Sequence, residues 1–82
     1  MESFHDVYIL ESESTPGLIY TGQTSDLRRR LVEHNAGKVV HTSKFVPWRI
    51  RSATAFRVKQ RALAFERYLK SGSGRAFLKR HL

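Results

Sequence analysis

The feature that most constrains this chain is the stretch over residues 18–35, where an apolar segment is followed directly by a helical pattern. Leu18 to Tyr20 is apolar and aromatic, which favours a short strand, and Gly22 is expected to end that strand. Val7 to Leu10 has the same character and is separated from the second strand by a turn-forming segment. The two strands therefore predict a hairpin in which each strand carries a tyrosine.

The second half of that stretch predicts a helix with one apolar side. Leu27, Leu31 and His34 lie at positions i, i+4 and i+7, which places them on one helical face. The expected ends of the helix are an N-cap at Thr24 or Ser25 and a stop at Ala36–Gly37.

Three consecutive arginines on this helix are not equivalent. At 100° per residue, Arg28 and Arg29 point away from the apolar stripe, whereas Arg30 lies beside it and His34 follows one turn later. Arg30 and His34 are therefore candidates for donating hydrogen bonds to a phosphate. The alternative is that Arg30 covers the edge of the core and His34 is a half-buried packing residue, and spacing alone favours this alternative.

The remaining chain predicts one more strand and two helices. Lys38 to Pro47 forms a basic loop, and Trp48 to Thr54 alternates large apolar residues with arginines as a third strand does. Arg57 to Lys70 has the apolar spacing of a helix, which Ser71–Gly74 is expected to end. Arg75 to Leu82 is then a short terminal helix.

Composition limits the class of protein. The chain has 82 residues, no Cys and no apolar run of the length a bilayer requires. These properties predict a single domain over residues 1–82, with neither disulfides nor a membrane span. The N-terminal residues lack the pattern of a secretory signal, so a soluble, cytoplasmic protein is expected.

Charge is divided sharply along the chain. Residues 1–27 hold five acidic residues and no Lys or Arg, whereas residues 28–82 hold all 15 basic residues and two acids. The net charge of +8 favours a polyanionic partner, and nucleic acid is the preferred interpretation for a small basic chain with interspersed aromatics. A solubilising surface or an assembly contact with an acidic protein is the alternative.

Glu66 stands out as one of the two acids in the basic part of the chain. Its helical position is at the border of the buried stripe. One interpretation is an exposed ion pair with Lys70 at i, i+4. The other is a carboxylate that holds a divalent cation against a phosphate.

Taken in order, these segments resemble the GIY-YIG nuclease superfamily, including its small single-domain members and the N-terminal nuclease domain of a bacterial excision-repair protein. Val7–Ile9 stands where the GIY triplet belongs, and Tyr20–Gly22 where YIG belongs. Asp26–Asn35 resembles the arginine helix, and Phe65–Lys70 the segment with the metal-binding glutamate. Gln23 departs from the lysine that some members carry, and the asparagine that many members carry after the glutamate is absent.

The resemblance implies an α/β fold, a small three-stranded sheet flanked by about three helices, and metal-dependent cleavage of DNA. Glu66 would bind Mg²⁺ or Mn²⁺, Arg30 would clamp a phosphate oxygen, and His34 would take up or relay a proton. Tyr8 or Tyr20 would activate the attacking water. A tyrosine has an ordinary pKa of about 10, so this role calls for nearby positive charge.

Substrate and partners follow from the same resemblance and from the charge. Structured or single-stranded DNA in repair or recombination is expected, with a monomeric enzyme and a possible protein partner that supplies specificity. A non-catalytic nucleic-acid-binding module, in which Phe45, Trp48 and Arg49 stack on and clamp single strands, is the alternative. The residues expected to contact DNA are Arg28, Arg29, Lys38, Lys44, Trp48 and Lys70.

Overall fold

The computed structural model describes residues 3–82, and strand β1 (His5–Ser12) lies at its centre. β1 pairs antiparallel with β2 (Ile19–Thr24) on one side and with β3 (Trp48–Phe56) on the other. The sheet order is therefore β2–β1–β3, which leaves β2 at an edge. The helices are α1 (Leu27–Asn35), α2 (Lys59–Leu69) and α3 (Gly72–His81), with one 3₁₀ turn at Ser43–Phe45.

Side chains of β1 alternate between two apolar clusters, one for each face of the sheet. Val7 and Ile9 pack against α2 and α3, whereas Tyr8 and Leu10 pack with Trp48 and with apolar residues of α1. All four β1 residues are buried, because helices cover both faces of the central strand. This is the α/β arrangement of three strands and three helices that the sequence predicts.

The strands run further than the sequence pattern indicates. The hairpin is confirmed, but Gly22 does not end β2: it pairs opposite Tyr8 in the antiparallel register, and the strand continues to Thr24. A glycine is compatible with a strand interior where another group approaches the backbone closely. The third strand, predicted over Trp48–Thr54, extends to Phe56.

The N-cap of α1 is Asp26 and not Thr24 or Ser25. The Asp26 carboxylate accepts a hydrogen bond from the backbone amide of Arg29 at 3.1 Å, which satisfies a free amide of the first turn. Thr24 instead accepts a hydrogen bond from the Asp26 amide at 3.1 Å. The predicted end of the helix is confirmed, since Gly37 has a φ of +74°.

The two C-terminal helices meet more closely than expected. α2 lies within the predicted Arg57–Lys70 segment, but Ser71–Gly74 does not form a separate linker. Ser71 caps α3 by accepting a hydrogen bond from the Gly74 amide at 3.2 Å, so α3 begins three residues earlier than predicted. A Cβ on Gly74 would overlap the Tyr68 carbonyl, which explains a glycine inside this helix. Within residues 3–82, no helix combines the length and apolarity needed to cross a membrane.

Candidate active site

Tyr8 projects from the central strand over the edge strand β2. A Cβ built on its register partner Gly22 would lie 2.5 Å from the Tyr8 hydroxyl oxygen and 2.6 Å from the ring carbon that carries it. Only a residue without a side chain leaves this space for the phenol. Gly22 therefore fixes the path of Tyr8, which is 1% exposed.

The Tyr8 hydroxyl meets His34, a fully buried residue in the last turn of α1. Tyr8 Oη lies 2.9 Å from His34 Nε2, and His34 Nδ1 lies 2.7 Å from Thr42 Oγ1. The Thr42 hydroxyl donates to the Val39 carbonyl at 3.4 Å, which leaves its oxygen to accept from Nδ1–H. Nε2 is then the acceptor and the Tyr8 hydroxyl the donor, an assignment that follows from this network.

Burial controls the protonation of both groups. Burial raises the pKa of Tyr8 above its ordinary value of 10.0, and the neighbouring Arg30 opposes that rise. Burial also lowers the pKa of His34 below its ordinary value of 6.5, and the Arg30 charge acts in the same direction. At neutral pH Tyr8 is therefore protonated and His34 neutral. Arg30 supplies the positive charge that lowers the pKa of a tyrosine base, but burial raises the pKa of Tyr8 by more than Arg30 lowers it.

Arg30 lies where α1 meets Tyr8. Its contact with the Tyr8 hydroxyl is the main cause that raises the pKa of Arg30, and its Nη1 donates to Glu33 Oε1 at 3.0 Å. The Arg30 side chain is 36% exposed, against 76% for Arg29, and Arg28 is exposed as well. This difference is the one that helical spacing predicts. Arg30 is held between Tyr8 and Glu33 and faces the cluster.

Tyr20 completes an aromatic group around His34. The ring centroids of Tyr20 and His34 are 5.1 Å apart, and those of Tyr8 and Tyr20 are 6.4 Å apart. The packing interpretation of His34 is correct that the residue is buried, although it is fully and not half-buried. The expectation that His34 donates a hydrogen bond to a phosphate is wrong, because both ring nitrogens are occupied by Tyr8 and Thr42.

Glu66 approaches the cluster from α2. Its side chain is 20% exposed, and its Oε2 accepts a hydrogen bond from Lys70 Nζ at 2.9 Å. This is the i, i+4 pair that spacing predicts. Burial is the main cause of the raised pKa of Tyr8, and the charge of Glu66 adds to that rise, so the carboxylate lies within electrostatic reach of the phenol.

The donors around Glu66 suit a cation of the magnesium type. Of the residues that the structure describes, no three His, Asp, Glu or Cys side chains are grouped so that they could enclose a metal ion. Zinc sites need three or four such ligands. Magnesium is commonly held by one or two carboxylates, while water and substrate phosphates complete its coordination. A single half-buried Glu66, with the exposed Lys70 as its ion-pair partner, fits the second pattern.

Trp48 corrects the expected DNA-contacting set. It is 3% exposed, and its indole N–H donates to the Thr42 carbonyl at 2.9 Å, so it is a core residue that cannot stack on bases. Phe45 is half-buried and packs against the same cluster. For the other members of the set, contact with DNA stays a prediction. They are all exposed: Arg28, Arg29, Lys38, Lys44 and Lys70.

Sequence patterns do not predict how two residues contribute to the site. Gly22 is expected to end β2 and stands in the YIG triplet, but the space that it leaves for Tyr8 follows from the strand register. Thr42 lies in an irregular loop, where no periodicity marks it. A third contribution comes from Asn35, whose side-chain amide donates to the Trp48 carbonyl at 3.0 Å and accepts from the Trp48 amide at 2.6 Å. It holds the end of α1 against β3.

The cluster thus combines the buried Tyr8 and His34 with Arg30 on one side of the small antiparallel sheet and has Glu66 on the helix α2. Residues 4–80 match the GIY-YIG catalytic domain, and the chain belongs to this family. The resemblance found in the sequence motifs is therefore confirmed.

Known relatives share both sequence and fold with this chain. It is 35% identical over 78 residues to a UPF0213 protein of Streptococcus agalactiae, a match that covers 90% of this chain and 89% of that protein. A UPF0213 protein of Bacillus halodurans, solved by NMR in solution, is 36% identical with a TM-score of 0.55 and matches 92% of this chain and 81% of its own. The structure-specific endonuclease subunit SLX1 of Scheffersomyces stipitis is 42% identical over 71 residues, which cover 78% of this chain and 21% of that protein.

Proposed function

We propose that this protein is a metal-dependent endonuclease that hydrolyses phosphodiester bonds in DNA. The observation that supports this most strongly is the cluster at β2, where Tyr8 Oη lies 2.9 Å from His34 Nε2 with Arg30 beside it and Glu66 in electrostatic reach. Phosphodiester hydrolysis needs an acceptor for the proton of the attacking water and positive charge for the phosphoryl oxygens. The cluster offers the first, and Arg30 with a cation on Glu66 offers the second.

The direction of the hydrogen bond makes Tyr8 a proton relay. A full transfer from Tyr8 to His34 before attack would cross a pKa gap wider than that between 10.0 and 6.5, a cost of more than about 5 kcal/mol. The transfers therefore accompany the attack of water on phosphorus. Tyr8 takes the water proton and passes its own to His34 Nε2. The new P–O bond forms as the bond to the leaving deoxyribose oxygen breaks, and that oxygen takes a proton from solvent while His34 later returns its own proton to solvent.

Arg30 and a cation at Glu66 would stabilise the negative charge of the transferring phosphoryl group. The Arg30 guanidinium offers several donors in a planar arrangement that matches phosphate oxygens. Glu66 is the residue that would hold Mg²⁺ or Mn²⁺, and such a cation would supply positive charge for the phosphate and the leaving oxygen. Lys70, whose Nζ lies 2.9 Å from Glu66 Oε2, orients the carboxylate.

The substrate we propose is branched, flapped or nicked DNA in repair or recombination. The relative SLX1 is named a structure-specific endonuclease subunit, which supports both this substrate class and a protein partner that supplies specificity. Base stacking by Trp48 and Phe45 gives no support for a preference for single strands, since one is buried and the other half-buried in the core.

A cleavage screen tests the proposal. Labelled branched, nicked, single-stranded and plain duplex DNA of one sequence are incubated with Mg²⁺, Mn²⁺ or EDTA. We expect cutting with either cation, no cutting in EDTA, and faster cutting of branched than of plain duplex DNA. Tyr8→Phe should lower the rate by about 10²-fold or more while DNA binding is kept.

Two outcomes would contradict this function. Cutting at an unchanged rate in EDTA would remove the role of the cation. Salt-sensitive binding of DNA without cutting in any metal would instead indicate the non-catalytic binding module.

A further inference from the structure

Two grooves flank Tyr8 along the edge strand β2. One, of about 510 Å³, is lined by residues 17–21 together with parts of α2 and α3; we call it the α3 groove. The other, of about 400 Å³, is lined by residues 23–26, by one side of α1 and by parts of β1 and α2. Gly22, which Tyr8 crosses, separates the two along the strand. A chain that follows β2 would therefore pass from one groove over Gly22 into the other, next to the buried Tyr8.

One side of the helix α2 contributes a residue to each of the two grooves. At 100° per residue, Lys59, Glu66 and Lys70 fall within about 40° of one another. Lys59 lines one groove and Lys70 the other. The candidate cation ligand Glu66 lines neither groove itself, but it lies on the same side of α2 as these two lysines and between them along the helix.

The α3 groove combines an apolar floor with a basic rim. Arg75 and Lys79 are exposed, lie one turn apart on the same side of α3, and line the groove with Lys70. Tyr20 also lines the α3 groove. The Tyr20 ring centroid is 5.1 Å from that of His34, so Tyr20 lies between the groove and the His34 side chain. The apolar lining is made by Leu18, Ile19, Leu69 and Leu78.

We propose that the α3 groove binds an unpaired nucleotide of the cleaved strand, next to the phosphate that is cut. Its base lies on the apolar floor beside Tyr20, and the adjoining phosphates are bound by Arg75 and Lys79. This proposal rests on the proposed function, because it takes Tyr8 and Glu66 to mark the position of the cut. According to this proposal, the protein selects DNA in which this nucleotide is not stacked in a double helix.

Charge complementarity favours a nucleic acid in this groove. The charged side chains of its lining are Lys70, Arg75 and Lys79, and within residues 3–82 the one of them that forms an ion pair is Lys70, with Glu66. The groove on the other side of Gly22 differs, because acidic and basic side chains alternate there and Arg30 is paired with Glu33. A ligand with a negative charge and a flat apolar group therefore fits the α3 groove better than it fits the other groove. A nucleotide is such a ligand, because it has a phosphate and a base.

The first test compares two double variants with equal loss of charge. Arg75→Gln/Lys79→Gln removes the rim of the α3 groove, whereas Arg67→Gln/Arg80→Gln removes two exposed cations that do not line it. Binding to a labelled flap DNA is measured by fluorescence anisotropy in EDTA at several salt concentrations, and circular dichroism verifies folding. We expect the groove variant alone to lose affinity, with a salt slope shallower by about 1.4, as for two lost phosphate contacts on a single strand.

The second test needs no variant of the protein. Abasic sites are placed one at a time along the unpaired strand of the flap, and wild-type binding is measured for each. One position should weaken binding by about 5-fold or more, as the loss of a stacked base does. The same abasic site should have a smaller effect on Arg75→Gln/Lys79→Gln, because the nucleotide no longer occupies the groove.

These readouts separate the groove from the catalytic proposal. Equal affinity losses for the two double variants, or abasic sites with no positional effect, would overturn the groove assignment even if the enzyme cuts DNA. A wild-type protein that cuts nothing but shows both binding effects would overturn the nuclease proposal and keep the nucleotide site.

Discussion

Gly22→Ala is expected to disable the site while leaving the fold intact. The added Cβ would lie 2.5 Å from Tyr8 Oη, and ordinary contacts of this kind begin near 3.4 Å, so the hydroxyl must retreat by about 0.9 Å. This disrupts the 2.9 Å hydrogen bond to His34 Nε2. A displacement of about 1 Å at a reacting group costs on the order of 10²-fold in rate, and we expect a loss of that size.

The assay is the single-turnover cleavage of a branched DNA with Mn²⁺, combined with thermal unfolding followed by circular dichroism and with DNA binding. Gly72→Ala is the matched control, because a Cβ on Gly72 meets nothing within 4 Å and the variant should cut at the wild-type rate. Gly22→Ala should retain DNA binding, since the added methyl group removes no charge. A folded Gly22→Ala protein that cuts as fast as wild type would refute the argument that Tyr8 depends on this space.

Three further predictions follow from the same cluster. Arg30→Ala should lower the cleavage rate by about 10²-fold or more, whereas Arg28→Ala should mainly weaken binding and its salt dependence; equal kinetic effects would contradict the geometry. Thr42→Val leaves Nδ1 of His34 unpaired and should lower the free energy of unfolding by about 1–3 kcal/mol in urea, whereas an unchanged value would show that the contact contributes little. Because burial lowers the pKa of His34 below 6.5, the unfolded chain binds the proton first as the pH falls. The stability that this histidine contributes is complete above pH 6.5 and is lost between 6.5 and its folded pKa, so urea unfolding should show a slope there that His34→Gln reduces.

Local pattern was enough to predict most of the fold. The alternation in β1 and the helical spacing of Leu27, Leu31 and His34 predict which side of each element faces the core. The structure confirms that these sides pack in the core. Element ends were less predictable, because several residues near a boundary can serve as caps. Asp26 was chosen over Thr24 and Ser25 by the path of the chain, which no local pattern contains.

The site was only partly predictable, for a different reason. Helical spacing distinguishes Arg30 from its neighbours, since that difference lies within one element. The partner of His34 is Thr42, eight residues away in an irregular loop, and the space for Tyr8 comes from Gly22 on another strand. The error on Trp48 has the same origin, because composition cannot distinguish an aromatic residue that stacks on bases from one that fills the core.

The most direct test of the central claim is the cleavage rate of Glu66→Gln at saturating DNA and Mn²⁺, compared with wild type. Gln keeps the size of the side chain but loses the charge that would hold the cation, and the charge stabilisation that such a cation supplies amounts to several kcal/mol. The rate should therefore fall by about 10³-fold or more, while DNA affinity measured in EDTA stays equal or increases slightly. A Glu66→Gln protein that cuts at the wild-type rate would contradict the assignment of Glu66 as the cation ligand and, with it, the proposed metal-dependent mechanism.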